Sequence, residues 1–171
     1  MNPISSLVFV LLLTIFPTQI LCQTPLIEQA CGYTIYKFLC LDTLIPDPDS
    51  KNATTLKEIA IISFIYTENK AYEIYTQFRD LEHSAVNEGW RQALSDCTHY
   101  YRTVGDILSS TYSYLKYSNY TGVKAEMSEA TVNRQKCDQV FQGKPFKSPL
   151  SKSTTKLSQM QNNAESIINH L

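Results

Sequence analysis

A chain of 171 residues with 15 Lys and Arg against 16 Asp and Glu, a formal net charge of −1, makes no electrostatic case for nucleic acid or an anionic membrane as partner. Five glycines and no hairpin signals exclude a β-rich fold. The length suits a single domain with a substantial core.

Ser6 to Leu21, SLVFVLLLTIFPTQIL, is uncharged and mostly apolar. It has the length of a signal-peptide hydrophobic region rather than of a membrane span. Cleavage is expected after Cys22, making residues 1–22 a signal peptide, in preference to a retained anchor. Residues 23–171 then form the mature domain. Of the five cysteines, Cys22 leaves with the signal, so Cys31, Cys40, Cys97 and Cys137 remain. An even set in a secreted chain reads as two disulfides, with three pairings open. Zinc is disfavoured, because these cysteines stand nine and forty apart in an oxidising compartment. Two sequons, at Asn52 and Asn119, agree with a secretory route and mark candidate glycosylation sites.

Residues 23–48 are expected to form a helical hairpin. LIEQACGYTIYKFLC, from Leu26 to Cys40, is interrupted by Gly32 and reads as two short helices or turns folded back on each other. The second arm runs through Leu44 and ends at the turn-rich linker Pro46-Asp47-Pro48-Asp49. Residues 49–171 are expected to form the bundle. Its first long helix starts near Thr54 or Thr55 and runs to about Glu82. Its a/d seam is Ala60, Phe64, Thr67, Ala71, Ile74, Phe78 and Leu81. The N-terminal half is apolar on more than one face, and the hairpin is the available cover.

After a break at Ser84 to Gly89, Trp90 to Leu115 repeats the pattern with Trp90, Leu94, Cys97, Tyr101, Val104, Leu108, Thr111 and Leu115. A turn around Tyr117 to Asn119 precedes a third helix with seam Tyr120, Val123, Met127, Ala130, Arg134, Cys137 and Phe141. A loop from Gly143 to Pro149 leads to a fourth helix carrying Leu150, Ser153, Leu157, Met160, Ala164, Ile167 and Leu171. The fold class is therefore all-α, an up-down-up-down four-helix bundle preceded by a short hairpin. Cys97 and Cys137 are both seam residues on adjacent antiparallel helices and point into one core. With Cys31–Cys40 closing the hairpin locally, the connectivity is Cys31–Cys40 and Cys97–Cys137.

Catalysis finds little support. His83, His99 and His170 are far apart and in no metal-ligand spacing. Ser95, Asp96 and His99 share one helical turn, but side chains so placed radiate outward and cannot assemble an acyl-transfer site. The eleven tyrosines are more informative. Tyr100, Ile107 and Tyr114 repeat every seven residues beside the seam, Tyr117 closes the turn, and Tyr112 and Tyr120 lie nearby. This flank either widens the core or, through Tyr100, Tyr114, Tyr117 and Tyr120, offers a protein-binding surface.

The Cys31-x8-Cys40 hairpin, Asp96-Cys97-x3-Tyr101, Tyr120 with Met127-Ser128-x-Ala130, Cys137-Asp138-x2-Phe141 and Ser148-Pro149-Leu150 occur in order behind a secretory signal. Together they resemble the plant invertase/pectin methylesterase inhibitor family over essentially the whole mature chain. The Phe141 to Leu150 region is similar to the branch of plane-tree-type pollen allergens. The resemblance implies a secreted, non-catalytic protein without cofactor or metal, with its cysteines paired first with second and third with fourth. It would bind a plant cell-wall or vacuolar carbohydrate enzyme 1:1 and block its active cleft, in the apoplast or in the vacuole. Members acting on invertase resemble one another in a Pro-Lys-Phe motif after the second bundle helix, where this chain has Tyr120-Thr121-Gly122. Members acting on pectin methylesterase lay a face of the second and third helices across the enzyme. Pectin methylesterase is thus the first expected target and invertase the alternative. A secreted four-helix ligand or pollen surface protein without inhibitory activity is the reading from another class.

Overall fold

The computed structural model describes residues 25–171, so the signal peptide expected over residues 1–22 lies outside the described residues. Among the described residues there are seven helices and no strand: α1 (Pro25–Gly32), α2 (Lys37–Leu44), α3 (Pro48–Asn52), α4 (Leu56–Ser84), α5 (Glu88–Lys116), α6 (Tyr120–Val140) and α7 (Ser151–Ile168). Helices α4 to α7 form the bundle, and α1 and α2 form the hairpin in front of it. None of these helices is long and apolar enough to cross a membrane.

The hairpin is closed by Cys31–Cys40, with Cα atoms 5.5 Å apart. Ile27, Ala30 and Leu44 are fully buried in the same core as the bundle seams. The hairpin therefore covers the apolar surplus at the start of α4. It is fastened to the far end of the chain as well. The Asn163 side chain on α7 accepts the Tyr36 N–H at 3.2 Å and donates to the Tyr36 carbonyl at 3.0 Å. The Tyr33 ring lies flat on His170, with centroids 3.8 Å apart.

Between hairpin and bundle the chain differs from the linker expected at residues 46–49. Asp47 accepts the Ser50 N–H at 2.6 Å and Pro48 follows at the first helical position, so the segment winds into the short helix α3. The Tyr66 hydroxyl of α4 donates to the other Asp47 oxygen at 3.1 Å and ties α3 down. Helix α4 opens on a capping box. Thr55 accepts the Glu58 N–H while Glu58 accepts the Thr55 N–H, satisfying two donors that the first turn would leave open.

The seams bury as their spacing requires, with exceptions where a residue's chemistry or position resists. On α4 every seam residue from Ala60 to Phe78 is buried, and Leu81 near the end is half-buried. On α5 the stripe from Leu94 to Leu115 is buried, while Trp90 is half-buried and packs its ring against Phe141 and Phe146. On α6 Arg134 is half-buried and its neighbour Asn133 turns inward, donating to the Glu129 carbonyl. An amide can be satisfied inside, as Asn133 is, whereas the Arg134 guanidinium stays at the edge of the core with its Nε buried and unpartnered. On α7 Ser153 is half-buried with Thr154 inside instead, and Leu171 lies beyond the helix end and is exposed.

Cys97 and Cys137 are joined across the α5–α6 contact with Cα atoms 4.8 Å apart. Helix α7 packs chiefly on α4 and meets α6 at few points. Gln161 spans that opening, donating to the Met127 carbonyl at 2.7 Å and to the Thr131 hydroxyl at 2.6 Å.

Candidate functional site

The turn from α5 to α6 is where expectation placed a contact surface, and it is built with care. Helix α5 ends in a Schellman motif: the Asn119 N–H reaches back to the Tyr114 carbonyl at 2.8 Å and the Ser118 N–H to Leu115 at 3.1 Å. The residue that must turn left-handed is Ser118, with φ of 58°, where glycine is usual. Its strain is answered from another helix. The Lys57 ammonium on α4 donates to the Ser118 hydroxyl and to the Lys116 carbonyl, both at 2.8 Å. A cation on the last carbonyls of α5 also meets the negative end of the helix dipole.

Asn119 then begins α6, its side-chain oxygen accepting the Gly122 N–H at 3.1 Å. Asn119 and Asn52 are both exposed. Capping engages the Asn119 oxygen and not its amide nitrogen, the atom a glycan would take.

The tyrosine flank divides. Tyr100 is half-buried, its ring between His99 and the Lys136 ammonium, which stands 5.8 Å from the ring centroid. Tyr114 and Tyr120 are also half-buried and pack on the core. Tyr112 is 40% exposed and Tyr117 78% exposed. Tyr117 therefore stands out at the turn, while Tyr100, Tyr114 and Tyr120 fill the crevice between α5 and α6.

Gly122 explains how Tyr114 fits there. A Cβ at this position would lie 2.6 Å from the ring, near its root rather than at a mobile tip. Gly122→Ala is expected to lower stability by about 1–2 kcal/mol, because overpacking outweighs the gain in helix propensity. Urea melts of the two proteins check this, and an unchanged midpoint would place the ring elsewhere.

The polar residues around this surface do not form a reactive centre. Tyr101 is fully buried against Phe78, with ring centroids 5.4 Å apart. Its hydroxyl makes no hydrogen bond, the Thr154 hydroxyl lying near but outside bonding geometry, and burial drives its pKa far above the phenol range. Partial desolvation by its neighbours also raises the Asp138 carboxyl, with Arg134 partly opposing it. Asp96 accepts a hydrogen bond from the Gln92 amide at 2.9 Å, and the His99 ring lies beside Tyr100 with centroids 5.8 Å apart. Among the described residues no group of three or more His, Cys, Asp or Glu could hold a metal. A cleft of about 330 Å³ opens between α6 and α7, bounded by Val123, Met127, Glu165 and Ile168.

Lys57 and Asn163 carry no signal in the sequence. Each is a single polar residue within a helical pattern, acting on a segment distant in the chain.

A sequence model described as "Plant invertase/pectin methylesterase inhibitor" matches residues 25–167. No curated protein matches the chain. Among solved structures, mutant form A of a pectin methylesterase inhibitor from Arabidopsis is similar with a TM-score of 0.68 at 18% identity, covering 82% of this chain and 93% of that one. A pectin methylesterase inhibitor from Arabidopsis thaliana is similar with a TM-score of 0.64 at 16% identity, covering 85% and 95%. At such identities the likeness is one of fold.

Proposed function

The chain belongs to the plant invertase/pectin methylesterase inhibitor family, and from that premise we propose that it is a secreted inhibitor of plant pectin methylesterase. It would act in the apoplast, without cofactor, by covering the enzyme's cleft in a 1:1 complex. The observation that carries the reading is the family match over the whole described bundle, hairpin included. The choice of target rests on the turn after α5. Invertase-directed members would carry Pro-Lys-Phe there, whereas this chain enters α6 directly through Asn119 and Tyr120. The α5–α6 face is left as the contact surface, with Tyr117 its most exposed ring.

Purified, oxidised protein mixed with plant pectin methylesterase and with plant invertase at acid to neutral pH tests this. Inhibition of the esterase alone is expected. Inhibition of invertase alone would transfer the reading to the other target, and loss of activity in neither would leave the secreted-ligand class. Within the surface, Tyr117→Ala is expected to weaken the complex about tenfold, in the range of a moderate hot spot, with thermal stability unchanged. Tyr114→Ala should instead cost about 3 kcal/mol of stability, as a packed ring does. Equal loss of binding in both at unchanged stability would mean that the crevice, not the tip, makes the contact.

A further inference from the structure

Charge is distributed unevenly along the chain. From Gln139 to Ala164 there are four lysines, Lys144, Lys147, Lys152 and Lys156, and no acid, while the rest of the chain holds the other 11 Lys and Arg and all 16 Asp and Glu. All four lysines are exposed, and none takes part in the ion pairs found among the described residues. The stretch is not a loose tail. Phe146 is wedged edge-on against Trp90 at 4.8 Å between centroids, and Lys144 lies over the Phe146 ring. Lys152 and Lys156 follow at i, i+4, one face of the first turns of α7 and about 6 Å apart along its axis. That first turn contains no acidic residue, so the positive end of the helix dipole adds to the lysines.

Lys152 and Lys156 border a groove of about 390 Å³ whose other walls are Leu39, Ser151, Thr155 and Gln159. The composition is selective. Two ammonium groups meet carboxylates, hydroxyl and amide groups meet sugar hydroxyls, and Leu39 offers an apolar wall to a ring face. The Thr155 hydroxyl donates to the Ser151 carbonyl at 2.8 Å and keeps its oxygen as an acceptor. No aromatic side chain lines the groove to stack a base, and the exposed apolar side chains Ile35 and Phe38 belong to the hairpin, near Leu39 in sequence but outside the groove lining. Beyond Lys156 the neighbouring surface is of mixed charge, with Asp42 and with Glu73 paired to Lys70 at 2.7 Å, which sets one end of the purely basic strip.

We propose that this edge of α7 and the loop before it bind a carboxylated polysaccharide, a linear polyuronate chain, independently of any enzyme target. Lys152 and Lys156 stand on α7, outside the α5–α6 face, while Lys144 and Lys147 stand on the loop that packs through Phe146 against Trp90, at the end of α5 opposite Tyr117.

The test needs no enzyme. Full mature protein is run through gels containing polygalacturonate, fully methyl-esterified pectin or dextran, with binding read as retardation across a salt series. Retardation by polygalacturonate alone is expected, weakening with salt as released counterions compete. Lys152→Glu/Lys156→Glu should weaken it about tenfold or more, whereas Lys51→Glu/Lys124→Glu, the same charge change elsewhere, should leave most of it. Circular dichroism confirms that both variants fold. Equal binding to esterified pectin, equal loss in both variants, or tighter retention by duplex DNA or anionic vesicles than by polygalacturonate would each overturn the assignment. Inhibition of either enzyme plays no part in the readout, so failure here and failure of the inhibitor reading are separate results.

Discussion

Replacing Cys97 and Cys137 together with alanine is expected to lower the unfolding free energy by about 4 kcal/mol, the entropy released when a loop of about forty residues is no longer closed in the unfolded chain. Both residues are essentially inaccessible, at 0% and 1% exposure, so the replaced sulfurs also leave small voids that add to the loss. The effect should be larger than for the same change at Cys31 and Cys40, which lie 9 apart in sequence and whose loop is worth somewhat less than about 3 kcal/mol. Urea unfolding of the two double variants beside the parent gives the ranking directly. If the hairpin pair proved the costlier, constraint of the unfolded chain would not be what this link supplies, and packing around the hairpin would have to be.

Asn163→Leu should be the most damaging single substitution of a polar residue. The side chain keeps its bulk, but the Tyr36 N–H loses its acceptor and the Tyr36 carbonyl loses one of its donors, for about 3 kcal/mol from two bonds at about 1.5 kcal/mol each. Asn163 is only 3% exposed, so water does not replace what is lost. The damage should also be local in character. Hydrogen exchange is expected to rise through α1 and α2, residues 25–44, while α5 and α6, held by their own disulfide, keep their protection. Unchanged exchange in the hairpin would show that its apolar contacts with α4 suffice to hold it.

Much of this architecture is readable from spacing alone because the dominant force is burial of one stripe per helix. Ala60 to Phe78 on α4 and Leu94 to Leu115 on α5 are buried as their four-and-three steps demand. Periodicity also brings Cys97 and Cys137 together, since both sit on stripes that share a core. What spacing cannot give is depth at the edge of a stripe. Tyr100, Tyr114 and Tyr117 belong to one flank, yet two pack into the α5–α6 crevice and the third projects. The difference depends on Gly122 opposite Tyr114, a relation between helices rather than within one. Helix α3 was legible in principle, since Asp47-Pro48 ahead of Ser50 is a capping signal. The Lys57 and Asn163 contacts were not, because a lone polar residue does not announce a partner 59 or 127 positions away.

That last separation bears on the order in which a newly made chain can assemble. The hairpin is the first part of the described domain to be synthesised, and its own disulfide spans only nine positions, so it can close while the rest is still being made. The groups that seat it, Asn163 and His170, come last. Until α7 arrives, α4 and α5 can pair as neighbours in sequence, but the apolar surface that α7 covers on α4 stands open. The last helix thus completes the seat, and a chain released before residue 163 would carry a closed hairpin that can lie on α4 but lacks the Asn163 and His170 contacts that fasten it.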